Sequence, residues 1–281
     1  MAELDRIAAW IVQQGISQAN RFIMYRKNID RLRAHDLEQD RALVYAELEK
    51  QQRLTEVLST YVETIEMVET ILTLIDAGVA VPVELLKKAF SGPVDTFRED
   101  ARSNQARNAM FELTMGAMAA RQGLAPVLST GNPDIAFHFE NRRVCMECKR
   151  VISENKVLER IKEGIGQLEK SARPGEDDIG IVAVSVAKLF NPGDRVAEAS
   201  DGTDPHDLLS QELYQLLRLN EPVLATLARP SVAAILFYLS SPCYVPGKGY
   251  TRASCGTFFP MNPMKVDERT FLSRLASNLS A

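Results

Sequence analysis

The sequence contains few of the residues on which histidine-based or disulfide-based sites depend. It has four cysteines, three histidines and one tryptophan in 281 residues. The cysteines do not follow the spacing of a disulfide framework, which fits a reducing cytoplasm. The histidines are scattered at positions 35, 138 and 206, so they give little support to a serine-hydrolase triad or a histidine-ligated metal. We therefore expect any chemistry to depend on other residue types.

Long hydrophobic runs are also missing. No segment approaches the roughly 18 apolar residues that a membrane-spanning helix needs. The N-terminus carries charges at Glu3, Asp5 and Arg6 and no apolar core, unlike a secretory signal. A strong net charge is absent as well, because the chain carries only −4. We expect a cytoplasmic protein with no membrane partner.

The first 93 residues have the apolar spacing of helices. Apolar residues between Leu4 and Leu32 recur at intervals of three, four and seven, which is typical of one continuous helix face. A second long helix is predicted from about residue 37 to 77, with Gly78 as its stop signal. Two such helices should fold back on each other. We predict an all-α helical hairpin or coiled-coil-like region at 1–93, used for oligomerisation or partner binding.

Residues 94–281 have a different pattern. After one helix at 95–122, the runs "APVLS", "DIAFHF", "RVCMECKRV", "IGIVAVSVA" and "SVAAILFYLS" are short and rich in β-branched or aromatic residues, as strands are. Further helices are expected at 154–172, at 205–219 and near 267–279. The order is thus one helix, then a meander of strands, then helices alternating with strands. This order predicts an α/β (α+β) domain, with a mixed sheet flanked by helices.

One stretch, "NPDIAFHFENRRVCMECKRV" at 132–151, places charged residues among apolar strand residues. Side chains alternate faces along a strand, so Glu147 and Lys149 share a face, about 7 Å apart. Asp134 begins the preceding run, and the short turn "ENRR" predicts an antiparallel hairpin that can bring Asp134 close to Glu147. Two carboxylates at one point repel unless a cation lies between them. Oxygen ligands favour Mg²⁺ or Mn²⁺.

These residues resemble the motif of the PD-(D/E)XK nuclease superfamily, the restriction-endonuclease-like fold. Pro133 and Asp134 stand where the family has its PD. Glu147, Cys148 and Lys149 match its (D/E)XK. The resemblance extends over about residues 95–190, and it implies a restriction-endonuclease-like nuclease domain within 94–281.

Two further positions fit the same family. Glu112, in the helix before the sheet, matches an acidic position of the family. Gln167, in the helix after the lysine strand, matches a glutamine that many members carry. The tyrosine often found four residues later is Ser171 here, which argues against the exonuclease-like branch that has the full pair.

The resemblance implies a metal-dependent phosphodiesterase with Mg²⁺ or Mn²⁺ as cofactor. Asp134 and Glu147 would hold the metal, together with the main-chain carbonyl of Cys148. Glu112 would bind through water or help to form a second metal site. A metal in such a site lowers the pKa of a bound water and neutralises charge on the attacked phosphate.

The remaining matched residues would act on the water and the substrate. Lys149 would orient the attacking water or stabilise negative charge on the phosphate oxygens. Gln167 would brace the site or contact the nucleic-acid backbone. Four basic residues lie close enough in sequence to contact phosphates: Arg142, Arg143, Arg150 and Lys156.

Together these residues predict a nuclease that hydrolyses phosphodiester bonds, with a DNA endonuclease favoured and, by analogy, a role in defence or DNA repair. A homodimer through the N-terminal helices is expected, because cutting both strands of a duplex needs two active sites. One alternative is a catalytically inactive nuclease-like fold that acts as a nucleic-acid-binding or scaffold module. Another is a salt-bridged strand pair on a solvated sheet face, with Asp134 as a turn residue.

Overall fold

The first part of the chain is helical in the residues that the structure describes. The structure is a computed structural model, and it describes residues 2–17, 19–38, 54–93, 104–171, 178–190, 197–198, 204–245, 249–261 and 266–280. The N-terminal helices are α1 (Ala2–Gln13), α2 (Asn20–Glu38), α3 (Leu54–Asp76) and α4 (Val83–Ala89). Helices α1 and α2 both contact α3, so the chain folds back on itself as predicted.

The predicted first helix is divided into two. Helix α1 ends at Gln13, and Gly15 has a φ of 71°, a left-handed conformation that glycine adopts at little cost. Ile11 in α1 and Ala19, just before α2, nevertheless bury their side chains in the same core. The apolar residues on both sides of Gly15 therefore keep a helical spacing although the helix ends between them. The prediction of one continuous helix was wrong. The predicted second helix is confirmed from Leu54 onward, whereas 39–53 lie outside the described residues.

Helices also separate the strands of the second part. Those predicted at 154–172, at 205–219 and near 267–279 are confirmed, and the one predicted at 95–122 is described from Gln105. None of the described helices combines the length and apolar character that a membrane crossing requires. The helices are α5 (Gln105–Arg121), α6 (Val157–Ser171), α7 (Ala187–Phe190), α8 (Pro205–Ala225) and α9 (Val266–Ser280), with a 3₁₀ turn at Glu154–Lys156.

The described strands form one mixed sheet. They are β1 (Val127–Leu128), β2 (Ile135–Phe139), β3 (Arg142–Arg150), β4 (Ile179–Ser185), β5 (Ala197–Glu198), β6 (Val232–Val245) and β7 (Gly249–Pro260). Their order is β1-β2-β3-β4-β6-β5, and β7 also pairs with β6. The β2–β3 and β6–β7 pairs are antiparallel, whereas β3–β4 and β4–β6 are parallel. The predicted mixed α/β fold is confirmed.

Strand β7 was not predicted. Its sequence, "GYTRASCGTFFP", interrupts its apolar residues with glycine, serine and threonine, which weakens the strand signal. Strands β6 and β7 pair as an antiparallel hairpin, whose last pair joins Val245 and Gly249. Residues 246–248 lie outside the described residues.

Helices cover both faces of the sheet. On the first face, residues of α1–α5 and α9 form one core with strand residues such as Met146 and Ile181. On the second face, α6 and α8 pack against Val182 and Phe237. The N-terminal helices thus share one hydrophobic core with the sheet. Strand β3 lies inside this sandwich, and its charged residues therefore have neighbours on both sides.

Candidate active site

The hairpin of β2 and β3 sets the position of the first two acids. Its turn consists of Glu140 and Asn141, with φ values of 49° and 61°. Two successive left-handed residues make the two-residue turn that matches the twist of paired strands. The register pairs Ile135 with Met146, so Asp134 stands opposite Glu147. The predicted antiparallel hairpin is confirmed.

Asp134 is held against the backbone of β3. Its Oδ2 accepts a hydrogen bond from the main-chain N–H of Cys148 at 2.7 Å. In a strand, the N–H and the C=O of one residue point to the same side. Because β2 begins only at Ile135, the carbonyl of Cys148 faces the space beyond the end of β2, beside Asp134. That carbonyl has the orientation that a third oxygen ligand needs.

Glu147 and Lys149 form a buried ion pair. Lys149 Nζ donates to Glu147 Oε2 at 3.1 Å. Glu147 is 0% exposed and Lys149 only 9%. The interpretation of this strand pair as a solvated sheet face is therefore wrong, although the salt bridge itself is present. Burial of two opposite charges requires that they remain paired with each other or with a ligand.

Helix α6 buries this face because of one glycine. A Cβ at Gly164 would lie 2.8 Å from a methyl carbon of Val182 and 3.6 Å from Lys149 Cε. The absence of a side chain at 164 lets α6 pack closely over the lysine stem. The aliphatic part of Lys149 is thus covered, and its ammonium group is directed to the acid pair.

Electrostatics at the acid pair favour a cation. Burial and the neighbouring Asp134 raise the pKa of Glu147 to about 7, against the opposing effect of Lys149. Burial also raises the pKa of Asp134, although the hydrogen bond from Cys148 opposes this. Glu147 Oε1 is buried and accepts no hydrogen bond from the described part of the chain. Burial and the mutual repulsion of the two carboxylates thus both oppose their simultaneous ionisation, and a bound cation would relieve that repulsion.

Glu112 lies near the pair on helix α5. Its pKa is raised to about 8, first by burial and then by the charge of Asp134. It does not complete a three-ligand cage, because no three Asp, Glu, His or Cys side chains among the described residues are close enough together to hold a metal. This placement agrees with a contact through water better than with direct ligation.

Gln167 contacts the loop before β2 from helix α6. Its Nε2 donates to Asn132 Oδ1 at 3.3 Å, two residues before Asp134. Its Oε1 is buried and receives no hydrogen bond from the residues described. The side chain therefore bridges the helix that covers Lys149 and the loop that carries Asp134.

Two of the four predicted phosphate-contacting residues lie away from the acids. Arg142 places its guanidinium over the ring of Phe271, 5.2 Å from the centroid. Arg143 forms a salt bridge to Asp178 at 2.8 Å. Both arginines belong to the beginning of β3, whereas the acid pair lies near its end.

The other two residues follow Lys149 in the sequence. Arg150 follows it directly, but alternation along β3 turns its side chain to the opposite face, where it lines a cavity. Lys156 is exposed and bonds Glu159 at 2.5 Å.

One cation near the site was missed. The positive charge of Lys88, in helix α4, lowers the pKa of both Glu112 and Asp134. Its neighbour Lys87 instead bonds Glu84 at 2.8 Å. No local signal in "ELLKKAF" distinguishes the two lysines, because only the packing of α4 against α5 brings one of them to the acids.

Comparisons with known proteins add no evidence about the function of these residues. No protein-family model matches the chain. A search of curated proteins gives no match either. The functional argument therefore depends on the residues themselves.

Proposed function

We propose that the protein is a cytoplasmic, metal-dependent nuclease of the PD-(D/E)XK type that hydrolyses phosphodiester bonds, with DNA as the favoured substrate. One observation carries the proposal: Asp134 and Glu147 meet at the end of a β-hairpin, and Lys149 reaches Glu147 at 3.1 Å. A buried pair of acids beside an amine is costly to maintain. Such an arrangement is typical of functional sites.

The donor set suits Mg²⁺ or Mn²⁺. Two carboxylates and the carbonyl of Cys148 are oxygen donors, which hard divalent cations prefer. Glu147 Oε1 is buried without a hydrogen-bond donor from the described residues, so a cation would satisfy an atom that otherwise lacks a partner. When bound, the cation would supply an activated water and neutralise charge on the phosphate.

The protein's own groups would then act on the water and the phosphate. The ammonium of Lys149 donates hydrogen bonds, so it can orient a water or stabilise an oxygen that gains negative charge. Glu112 holds its proton more strongly than an ordinary carboxyl, and it can accept or donate a hydrogen bond through water. Gln167 keeps α6 in contact with the loop of Asp134.

A binding or scaffold module without catalysis is the second candidate. The observation that favours it is the salt bridge of Glu147 and Lys149, because a buried pair that satisfies itself can serve structure alone. Under this alternative the protein would bind nucleic acid with the same affinity in EDTA and in Mg²⁺, and it would release no cleaved product.

Cleavage assays separate the two candidates. The substrates are RNA and DNA, and the DNA is tested in circular and linear, single-stranded and double-stranded form. Each substrate is incubated with Mg²⁺, with Mn²⁺ and with EDTA. The variants Asp134→Asn, Glu147→Gln and Lys149→Met should each lower cleavage about 100-fold or more, as loss of a group that stabilises a transition state does. Glu140→Gln, an exposed carboxylate in the turn of the same hairpin, is the matched control. Wild-type rates in all three site variants would refute the proposal.

The dimer through the N-terminal helices, like the role in defence or repair, stays a prediction. Helices α1 and α3 bury residues such as Ile7 and Leu74 in the shared core, so a partner subunit would use their outer faces. Light scattering coupled to size exclusion, at several protein concentrations, measures the oligomeric state directly.

A further inference from the structure

Strand β7 is an edge strand of the sheet within the described part of the chain. It has 12 residues and pairs with β6 alone, in a regular antiparallel register. Met261, directly after β7, donates its N–H to the carbonyl of Ala233 at 2.8 Å. Because bonded and non-bonded pairs alternate along an antiparallel ladder, the even-numbered residues of β7 point their main-chain N–H and C=O groups away from β6.

These outward groups form a row on the outer side of β7. The row consists of the main-chain groups of Arg252, Ser254, Gly256 and Phe258. Among the described residues, no main-chain hydrogen bond joins this side of β7 to another element. Main-chain N–H and C=O groups are strong hydrogen-bonding groups, and an extended peptide can satisfy them by adding a strand to the sheet.

The outer side of β7 keeps its ability to pair. Natural sheets often protect such an edge with lysines, prolines or bulges. Before its last residue, β7 contains no lysine and no proline, and its pairing with β6 has no bulge. Its one charged side chain, Arg252, is held by Glu69 at 2.7 Å and by Glu66 at 3.3 Å. Gly256 is exposed, and a glycine inside a strand often marks the close approach of another backbone.

A cavity follows this edge of the sheet. It has a volume of about 410 Å³, within the range of roughly 300–1,000 Å³ that is usual for ligand pockets. His206 and Ser210 line it from α8, which packs on the second face, and Met118 of α5 and Leu279 of α9 line it from the first face. A cavity that reaches both faces passes around the edge of the sheet, and Gly256 lines it there.

The two sides of the cavity differ in chemistry. Toward the first face, Met118, Phe258 and Leu279 form an apolar surface. Arg121, at the end of α5, is exposed and also lines the cavity. It takes part in no hydrogen bond or ion pair with the residues that the structure describes. Toward the second face, the lining from α8 is polar.

We propose that this cavity binds an extended peptide segment of another protein, which adds a strand to the outer side of β7. Alternate side chains of the peptide point to opposite faces, so an apolar residue and an acidic residue two positions apart both face α5. The acidic residue pairs with Arg121, since a guanidinium and a carboxylate form a charge-assisted hydrogen bond. Helices line the cavity on both faces, which favours a single strand over a second copy of the whole chain. The proposal goes beyond the nuclease function and does not depend on it.

Defined peptides test the proposal. Each has seven residues and blocked ends, with threonine at the odd positions and two leucines and one aspartate, in each possible order, at the even positions. A matched set carries asparagine in place of aspartate. We expect at least one aspartate peptide to bind the full-length protein with a Kd below about 1 mM, and its asparagine counterpart to bind about tenfold more weakly, by calorimetric titration. Amide hydrogen exchange in β7 should slow when the peptide binds.

Two variants address the two kinds of contact. Gly256→Pro removes an outward N–H but no hydrogen bond to β6, because Gly256 stands opposite Tyr238 in a non-bonded pair, and it should weaken binding about tenfold or more. Arg121→Gln changes an exposed side chain and should bind the aspartate and asparagine peptides equally, which keeps the proposal testable if the proline variant does not fold. Arg160→Gln, whose guanidinium bonds Glu163 at 2.7 Å on α6, is the control and should bind as the wild type does.

Three results would overturn the proposal. The first is that no aspartate peptide binds the wild type at about 1 mM. The second is that Arg121→Gln still prefers aspartate to asparagine as strongly as the wild type does. The third is a wild-type dimer, seen by sedimentation, that Gly256→Pro dissociates, because a second copy of the chain would then occupy the edge of β7.

Discussion

The acid pair should make the stability of the metal-free protein depend on pH in an unusual direction. Glu147 is fully buried, and its pKa rises from 4.5 to about 7 because burial and Asp134 disfavour its charge. The folded state therefore holds this proton more tightly than the unfolded state does. Its stabilising contribution is present below pH 4.5 and is lost as the pH rises through 7. At roughly 1.4 kcal/mol per pKa unit, the loss is about 3 kcal/mol.

Glu147→Gln removes this titration. Urea unfolding in EDTA at pH 5 and pH 8 gives the free energy of unfolding of each protein. Between these two pH values, the wild type should lose about 3 kcal/mol more than the variant. The control Glu140→Gln should keep the wild-type dependence, because Arg274 lowers the pKa of Glu140 and that group titrates below the window. Equal pH dependence in wild type and Glu147→Gln would refute the reasoning.

A divalent cation should reverse the loss. At pH 8, Mn²⁺ at 100 times its dissociation constant should stabilise the wild type by about 2.7 kcal/mol, by mass action. The Glu147→Gln protein should gain much less, because it lacks one ligand and the charge that attracts the ion. If Mn²⁺ stabilises both proteins equally, the ion binds elsewhere and the proposed metal site is wrong.

Three further substitutions test particular contacts. Glu63 forms salt bridges to two buried arginines, Arg21 at 3.0 Å and Arg107 at 2.6 Å. Glu63→Gln should therefore lower the free energy of unfolding by about 3–5 kcal/mol, which urea unfolding at pH 7 measures. Lys88→Ala should raise the KM for nucleic-acid cleavage about twofold to fivefold. The control Lys87→Ala should leave this KM unchanged. Equal effects of the two substitutions on KM would argue against a role of position 88. Gly164→Ala places a Cβ 2.8 Å from a methyl group of β4 and should cost about 1–3 kcal/mol, measurable as a lower Tm. Gly166→Ala meets no atom within 4 Å and should be neutral or stabilising, so a lower Tm there too would point to a general effect of helix α6.

Several features could be predicted from the sequence because they depend on geometry within a few residues. The turn between β2 and β3 has two residues, so it alone sets the register that brings Asp134 opposite Glu147. Alternation along the strand then puts Lys149 on the same face as Glu147. The mixed order of helices and strands followed from local periodicity in the same way. These relations hold whatever the rest of the chain does.

Burial and electrostatics, in contrast, were decided only by packing between distant elements. The burial of Glu147 and Lys149 depends on helix α6, which packs closely over them because Gly164 fits against Val182 of β4. Lys88 comes from helix α4, far from β3 in the chain, so no spacing in the sequence relates it to the acids. The pKa values of the acids follow from the same packing, because desolvation depends on which helix excludes the water. Local rules thus determined which side chains meet on the hairpin, and tertiary contacts determined what charge they can carry there.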